Sequence, residues 1–293
     1  MRLILASLIL ALSVLCSGCE DNKTGLMIPE SDSWWPQYDY FDPAWSPTGE
    51  YIAFGRGHVP GDTVDAWGLY VYNLADSMSS WIIKSIDRPM PMQSDISPNG
   101  HWILFSWYSQ IWKCLATGDS LVQLTSGSRD FEPAWSPNGQ RIAYYRLMSG
   151  IHIMNSDGSG DALVAGGIFP QWLDESNIVY VGLYDHIYKF DLETKVEERI
   201  FERRAEWEDV RELDADRSGA RLLFSAFLPR SQPNIYLFDL GTSELTRLTT
   251  TGGDQPSWSP DGSEIVYTNT QFGRIWFMAA DGSNKRPLSS LLR

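Results

Sequence analysis

The residues whose types and spacing could do chemistry are three carboxylates and two amides that recur along the chain. Each lies three positions before a recurring Trp or its replacement, and with one Phe the set is Asp42, Gln93, Glu132, Phe169, Glu212 and Gln255. If the six segments superpose, these side chains form one ring. Carboxylate and amide oxygens suit a hard cation such as Ca²⁺, which takes about six to eight oxygen ligands. The pattern predicts a calcium site; the alternative interpretation is a set of solvated loop residues in an acidic protein.

Other sequence patterns for catalysis are missing. The chain has no Gly-x-Ser-x-Gly elbow, no His-Glu-x-x-His motif and, after residue 19, only the single cysteine Cys114, so hydrolase and zinc chemistry lack their usual signatures. The four histidines fall in four different segments and are interpreted as surface or packing residues: His58, His101, His152 and His186. Cys114 lies in a strand-like stretch and is predicted to be a buried, inert thiol. We therefore expect a non-enzymatic protein that requires no cofactor.

The elements that must position the ring are copies of one motif. The clear copies are PAWSPTGEYIAF at 43–54, PAWSPNGQRIAY at 133–144 and PSWSPDGSEIVY at 256–267. The looser copies are SDISPNGHWILF at 94–105, PQWLDESNIVY at 170–180 and LDADRSGARLLF at 213–224. The Trp positions or their replacements are 45, 96, 135, 172, 215 and 258, which is 213 residues over five intervals, or 42.6 each. Pro and Gly in Ser-Pro-x-Gly favour a turn between two strands.

A second strand pair follows each copy. In GLYVYNL at 68–74 and NIYLFDL at 234–240 the character of the side chains alternates, as it does in a strand. A further short strand follows in several copies, for example LTRLT at 245–249. Four strands in about 40 to 45 residues make one blade of a β-propeller. The sequence therefore predicts an all-β, six-bladed β-propeller of four-stranded antiparallel blades. The most helix-like stretch, residues 202–213, is interpreted as a loop between blades. Two ways of closing the propeller stay open: a strand from residues 34–40 joins the last blade, or residues 285–288 complete it.

These repeats resemble those of the TolB-like β-propellers. One order of patterns recurs over about residues 41–288: Trp-Ser-Pro-(Asp/Asn)-Gly, then Ile-(Ala/Val)-(Phe/Tyr), then Ile-Tyr and finally Leu-Thr. The resemblance is specific for fold and implies little about function. TolB proteins carry an α/β domain before the propeller, whereas only residues 20–40 precede the first copy here. We therefore expect a lone propeller at 41–293 and assign no role in the Tol–Pal system.

The first residues are typical of a lipoprotein signal. Arg2 precedes an apolar run, residues 3–15, which is too short to span a bilayer. The ending LCSGC resembles a lipobox, with Cys16 where Leu is more usual, and it predicts a signal peptide at 1–18, acylation of Cys19 and a polar tether at 19–40. The alternative is an ordinary secretory peptide cut nearby. Glu20-Asp21 favours the outer membrane, where the protein would face the periplasm or the cell surface.

The charge and one long loop bear on partners. Removal of residues 1–18 takes away one Arg and no acid, so 22 basic and 37 acidic residues remain, a balance of −15. This charge disfavours nucleic acid and is compatible with cations or a basic protein. The loop RGHVPGDTVDAWG at 56–68 could form a contact patch through Val59, Val64 and Trp67. We expect an envelope scaffold that binds a protein or peptide; the alternatives are a cation-dependent carbohydrate-active or lyase-type enzyme and a cell-surface sensor. The oligomeric state stays open.

Overall fold

Runs such as YIAF and RIAY form strands that are covered on both faces. In the computed structural model, which describes residues 40–57, 67–85 and 91–288, Ile52, Ala53 and Phe54 are fully buried. A strand with apolar residues on both faces is stable only between two other layers. Stacking the repeats around an axis provides those layers, because each blade covers its neighbours.

The described residues form six antiparallel sheets of four consecutive strands each, as predicted. The first three blades contain β1 (Tyr40–Trp45), β2 (Tyr51–Arg56), β3 (Trp67–Asn73) and β4 (Ser79–Ser85); β5 (Met92–Ile96), β6 (Trp102–Trp107), β7 (Gln110–Leu115) and β8 (Val122–Gln123); and β9 (Asp130–Trp135), β10 (Arg141–Arg146), β11 (Gly150–Asn155) and β12 (Ala162–Ala165).

The other three blades follow the same order. They contain β13 (Ile168–Trp172), β14 (Asn177–Val181), β15 (Ile187–Asp191) and β16 (Glu197–Phe201); β17 (Asp209–Ala215), β18 (Arg221–Phe227), β19 (Asn234–Asp239) and β20 (Leu245–Arg247); and β21 (Asp254–Trp258), β22 (Glu264–Asn269), β23 (Arg274–Ala279) and β24 (Arg286–Pro287). One 3-10 turn, Leu183–Asp185, precedes β15. Of the stretch 202–213 interpreted as a loop, residues 202–208 form one, whereas residues 209–213 belong to β17, because Val210 and Leu213 are buried in the core. No helix in the described part of the chain is long and apolar enough to cross a membrane.

Apolar clusters between neighbouring blades hold the propeller together. The cluster between blades six and one contains Ile52 and Phe54 from one side and Val266, Ile275 and Phe277 from the other. The short strand β24 completes the sixth sheet, which confirms one of the two predicted closures. The described residues therefore close the ring by side-chain packing between complete blades, without exchange of a strand.

Hydrogen bonds and backbone conformation explain the Ser and the Gly of the Ser-Pro-x-Gly turn. In blade three, Gly139 adopts a φ of 70°, and its N–H donates to the Ser136 carbonyl oxygen at 2.8 Å. The Ser136 hydroxyl accepts the N–H of Arg141 at 3.0 Å and so links the two strands. In the degenerate fifth copy Asp216 takes this role, because its carboxylate accepts the N–H of Arg221 at 3.1 Å.

Candidate functional site

A bulge lies three residues before the Trp position in every first strand. In blade one, Phe41 pairs with Gly55 and Ala44 with Ala53, and the two residues between them have no partner in the register. The bulge residues have left-handed φ values of 49° to 57°: Asp42, Gln93, Glu132, Phe169, Glu212 and Gln255. Such φ values are uncommon outside Gly. In four blades the next residue is Pro, which a bulge tolerates because its N–H is not needed: Pro43, Pro133, Pro170 and Pro256.

The six bulge residues line one cavity on the propeller axis. This channel ring, defined as Asp42, Gln93, Glu132, Phe169, Glu212 and Gln255, lines a cavity of about 90 Å³ between the first strands. The structure therefore brings together all the residues that the repeat spacing places in register. What they do there depends on their hydrogen bonds.

The ring side chains link neighbouring blades. Asp42 Oδ2 accepts the N–H of Gln93 at 3.0 Å, and Gln93 Oε1 accepts the N–H of Glu132 at 3.2 Å. Glu132 Oε2 accepts the N–H of Phe169 at 2.6 Å. Gln255 Oε1 accepts the N–H of Asp42 at 3.0 Å, which joins the last blade to the first. Four of the six left-handed bulges thus donate their N–H to the bulge side chain of the preceding blade.

Two interfaces of the described ring lack this bond. Phe169 has no acceptor to offer to Glu212, and the N–H of Gln255 donates instead to Asp254 Oδ1 at 3.0 Å. Because Glu212 does not cap the following blade, its carboxyl group is the ring member with the least hydrogen-bonding support.

A second set of inter-blade bonds lies two residues further along the first strands. Asp95 Oδ2 accepts the N–H of Trp135 at 2.6 Å, and Asp214 Oδ2 accepts the N–H of Trp258 at 2.7 Å. Burial raises the pKa of Asp95 to about 6 and that of Asp214 to about 8, although these hydrogen bonds oppose the rise. The repeated Trp is therefore held by its backbone as well as by packing.

The channel raises the pKa of its carboxyl groups. Burial raises the pKa of Asp42 to about 7 and that of Glu132 to about 8, in both cases against the hydrogen bond that the carboxylate accepts. For Glu212, burial and then the charges of Asp42, Asp254 and Glu132 raise the pKa well above its usual value. Clustered acids in a poorly solvated space resist ionisation together, so the ring takes up protons near neutral pH.

The hydrogen bonds limit what the ring can offer to a cation. Gln255 Oε1 also accepts the hydroxyl of Thr268 at 2.8 Å, and Gln93 Oε1 also accepts that of Ser106 at 3.0 Å. A carbonyl oxygen has two lone pairs, so both amide oxygens are filled. Among the described residues, no group of three or more His, Cys, Asp or Glu side chains is arranged to hold a metal ion. Calcium binding stays a prediction that would have to rest on the carboxylates alone.

Exposed apolar side chains concentrate on the hairpins between second and third strands. These hairpins lie on the side of the propeller where the first strands begin, because Asp130 at the start of β9 pairs with Arg146 at the end of β10. Of the ten exposed large apolar side chains in the described part of the chain, half are on them: Tyr108, Met148, Leu183, Tyr184 and Phe272. We call these five residues the hairpin face. The sequence did not predict this surface, because a single apolar residue in one turn does not indicate which other turns lie on the same side of the fold.

The contact patch predicted for the loop at 56–68 lies only partly within the described residues. Trp67 opens β3, pairs with Ser85 and is half-buried. Val59 and Val64 lie outside the described residues, as does Cys19, so the loop contact patch and the acylation stay predictions. The loop joins β2 to β3 and therefore corresponds to the hairpins that form the hairpin face.

The remaining reactive residues have distinct surroundings. Cys114 is fully buried, and burial raises the pKa of its thiol to about 12, as expected of an inert thiol. His101 is exposed beside a turn, and His186 Nδ1 accepts the N–H of Arg203 at 3.1 Å. His152 is buried in a network of polar side chains. His58 lies outside the described residues.

Comparison with known proteins extends the fold assignment. No protein family model matches the chain. TolB from Acinetobacter baumannii has a similar structure, with a TM-score of 0.70 and 17% identity. The match covers 81% of this chain and 63% of that protein's length. A protein assigned as TolB from Agrobacterium tumefaciens has a TM-score of 0.64 and 20% identity over 75% of this chain and 87% of its own.

An enzyme shares the architecture as well. An oligogalacturonate lyase in complex with manganese has a TM-score of 0.56 and 10% identity over 86% of this chain and 78% of its own. At these identities the likeness shows the fold alone, and the fold serves proteins with different functions. The resemblance inferred from the repeats is confirmed at that level: the chain forms a six-bladed β-propeller with the fold of the TolB propellers.

Proposed function

We propose that the protein is a lipoprotein of the bacterial envelope that functions by binding a protein or peptide partner through the hairpin face of its propeller. The observation that supports this function is the concentration of exposed apolar side chains on one kind of hairpin. Met148 is 79% exposed, Tyr184 73% and Phe272 52%. Apolar groups mark an interaction site when one partner covers them together, and these hairpins all open on the same side of the propeller, where one partner could span them.

The backbone holds several of these side chains in fixed positions. Tyr108, Met148 and Tyr184 adopt left-handed φ values of 52°, 64° and 61° within tight connections. A contact residue on such a turn loses little conformational freedom when it binds, which favours affinity. Aromatic side chains and Met are also enriched in protein interfaces. The hairpin face therefore has the composition and the rigidity of a binding surface.

The charge favours a basic partner. The formal charge of the chain is −14, and the hairpin face lies on the side of the propeller where the first strands and their ring carboxyls begin. A partner with basic residues next to apolar ones would be attracted over distance and held by apolar contact. The LCSGC sequence supports attachment of the protein to a membrane through Cys19, so the partner would be an envelope protein or peptide.

Site-specific photo-crosslinking in the native envelope tests this function. A benzoylphenylalanine residue would replace Tyr184 or Phe272 on the hairpin face. Matched control positions are Leu163 and Val196, which are 57% and 58% exposed but lie on β12 and on the turn before β16. We expect the same discrete crosslinked product from both hairpin positions and none from the controls.

Binding would then be measured with the partner identified in that product. Replacing Tyr184 and Phe272 together by Ser should weaken binding by roughly tenfold or more, because interface aromatics often contribute about 1–2 kcal/mol each. Equal crosslinking at all four positions, or none at the hairpin positions, would contradict the proposal. Co-purification of a bound sugar with a metal ion would favour the lyase-type alternative instead.

A further inference from the structure

Blade three departs from the repeat at one position of its third strand. In the other five blades the residue that pairs with the aromatic of the second strand is itself aromatic: Tyr70, Trp112, Tyr188, Tyr236 and Trp276. In blade three, Tyr144 pairs with His152. An aromatic side chain fills this position in five blades, so packing alone does not explain why blade three has the imidazole of His152 there.

His152 joins a serine and a carboxylate. Its Nε2 is 2.8 Å from Ser149 Oγ, and its Nδ1 is 2.8 Å from Asp161 Oδ1. Ser149 is exposed in the hairpin between β10 and β11, whereas His152 is 7% exposed. A serine hydroxyl that contacts an imidazole, whose other nitrogen contacts a carboxylate, is the arrangement of a nucleophile, its base and the group that orients the base.

The carboxylate is held so that it can orient the imidazole. Arg146 Nη1 donates to Asp161 Oδ2 at 2.6 Å, and the Tyr144 hydroxyl donates to Asp161 Oδ1 at 2.6 Å. Arg146 is fixed in turn by Asp130 at 2.8 Å. Burial raises the pKa of Asp161, but the hydrogen bonds from Tyr144, Arg146 and His152 outweigh it and hold the pKa below its usual value.

Two groups lie against Nδ1 of His152: Arg146 Nη1 at 3.3 Å and Asp161 Oδ1 at 2.8 Å. The shorter contact, to the ionised Asp161, decides the tautomer. Because the carboxylate can only accept, Nδ1 carries the proton that faces it, and Nε2 has its lone pair toward Ser149. The Ser149 hydroxyl therefore donates to Nε2. This is the direction of proton transfer that a nucleophilic serine requires.

We propose that Ser149, His152 and Asp161 form a nucleophilic centre that hydrolyses carboxylic esters. Ser149 Oγ attacks the ester carbonyl carbon while its proton moves to His152 Nε2. The carbon–oxygen bond to the alcohol breaks, and the alcohol leaves with that proton. Water then attacks the acyl carbon and gives a proton to Nε2. The bond between that carbon and Ser149 Oγ breaks, the proton on Nε2 returns to Oγ, and the carboxylic acid leaves. Asp161 is a positioning residue, since it acts through His152.

The surroundings select the class of ester. Ser149 is exposed, and the neighbouring Met148, which is 79% exposed, offers an apolar contact to an acyl chain. Esters with a short aliphatic acyl group are therefore the expected substrates. This activity goes beyond partner binding and would make the prediction of a non-enzymatic protein wrong, while the binding function could stand or fall separately.

A fluorophosphonate probe tests the centre directly. Ser149 Oγ would displace fluoride from phosphorus, and its proton would leave through His152. Blade two provides an internal control, because Ser109 precedes Gln110 of β7 as Ser149 precedes Gly150 of β11, but Trp112 occupies the position of His152. Peptide mapping by mass spectrometry should find the adduct on Ser149 and none on Ser109.

Two variants separate chemistry from folding. Ser149→Ala changes an exposed hairpin residue and should abolish both the adduct and the hydrolysis of 4-nitrophenyl butyrate. His152→Tyr restores the aromatic that other blades carry, so it should keep the melting temperature and slow labelling roughly 10²-fold or more. An unlabelled Ser149 in the folded protein, equal labelling of Ser109, or labelling of His152→Tyr at the wild-type rate would overturn the proposal.

Discussion

Replacing Asp42 by Asn should stabilise the propeller relative to the wild type, and this gain should be larger at high pH than at low pH. The Asn side chain keeps an oxygen that can accept the N–H of Gln93, but it cannot ionise. In the wild type, burial raises the pKa of Asp42 from 3.8 to about 7. The folded protein therefore holds this proton more tightly than the unfolded chain does, so wild-type stability falls as the pH rises from about 4 to about 7.

The size of the effect follows from that difference. A rise from 3.8 to about 7 corresponds to about 4 kcal/mol of disfavoured ionisation. The neighbouring carboxyl groups of Glu212 and Asp254 titrate with Asp42, and water in the channel screens their charges. We therefore expect the stability gain of Asp42→Asn over the wild type to grow by about 1–2 kcal/mol between pH 5 and pH 8.

Urea unfolding followed by tryptophan fluorescence at pH 5, 6, 7 and 8 measures this gain. Asp157→Asn is the matched control, since Asp157 is exposed and its pKa is lowered by Ser159, so no gain should develop with pH. Asp42→Ala cannot ionise either but also removes the acceptor, so it should be about 1–3 kcal/mol less stable than Asp42→Asn at both extremes. A gain for Asp42→Asn that stays constant, or shrinks toward pH 8, would refute the account of the channel.

Two further substitutions test the channel and the packing. Glu212→Gln should raise the urea midpoint at pH 8 and leave it nearly unchanged at pH 5, because burial and the carboxylates of Asp42, Asp254 and Glu132 keep Glu212 protonated; a lower midpoint at pH 8 would show that its charge is needed. Gly55→Ala should cost about 1–3 kcal/mol in the same assay, because a Cβ there would lie 2.1 Å from Phe41 Cε2; wild-type stability would mean that the Phe41 ring moves aside freely.

Local sequence predicted the architecture well because a propeller is built from contacts that repeat. The spacing of the Trp positions revealed the six blades, and in four of them the bulge residue is followed by a Pro two positions before the Trp. Even the degenerate fifth copy folds like the others, because Asp216 replaces the hydrogen bonds of Ser136. That replacement is clear only from the contacts, since Asp and Ser differ in size and charge.

The use of the channel ring could not be predicted from residue types. Carboxylates and amides at these positions suggested oxygen ligands for a cation, whereas one oxygen each of Asp42, Gln93, Glu132 and Gln255 accepts a hydrogen bond from the next blade. Which atoms an acceptor meets depends on the left-handed bulge of a neighbour about 40 residues away in the chain. The raised pKa values have the same origin, because they depend on burial among carboxyl groups from different blades.

The amino-acid sequence by itself determined the fold, the number of blades and the positions that converge on the axis, since these follow from a repeated local pattern. Only the tertiary structure decided that the ring carboxyls cap the neighbouring blades, that Tyr184 and Phe272 lie on the same side of the propeller, and that His152 contacts Ser149 and Asp161. The physical reason is distance along the chain. Periodicity predicts what each repeat does alike, whereas a site is made by single residues whose partners lie on other strands.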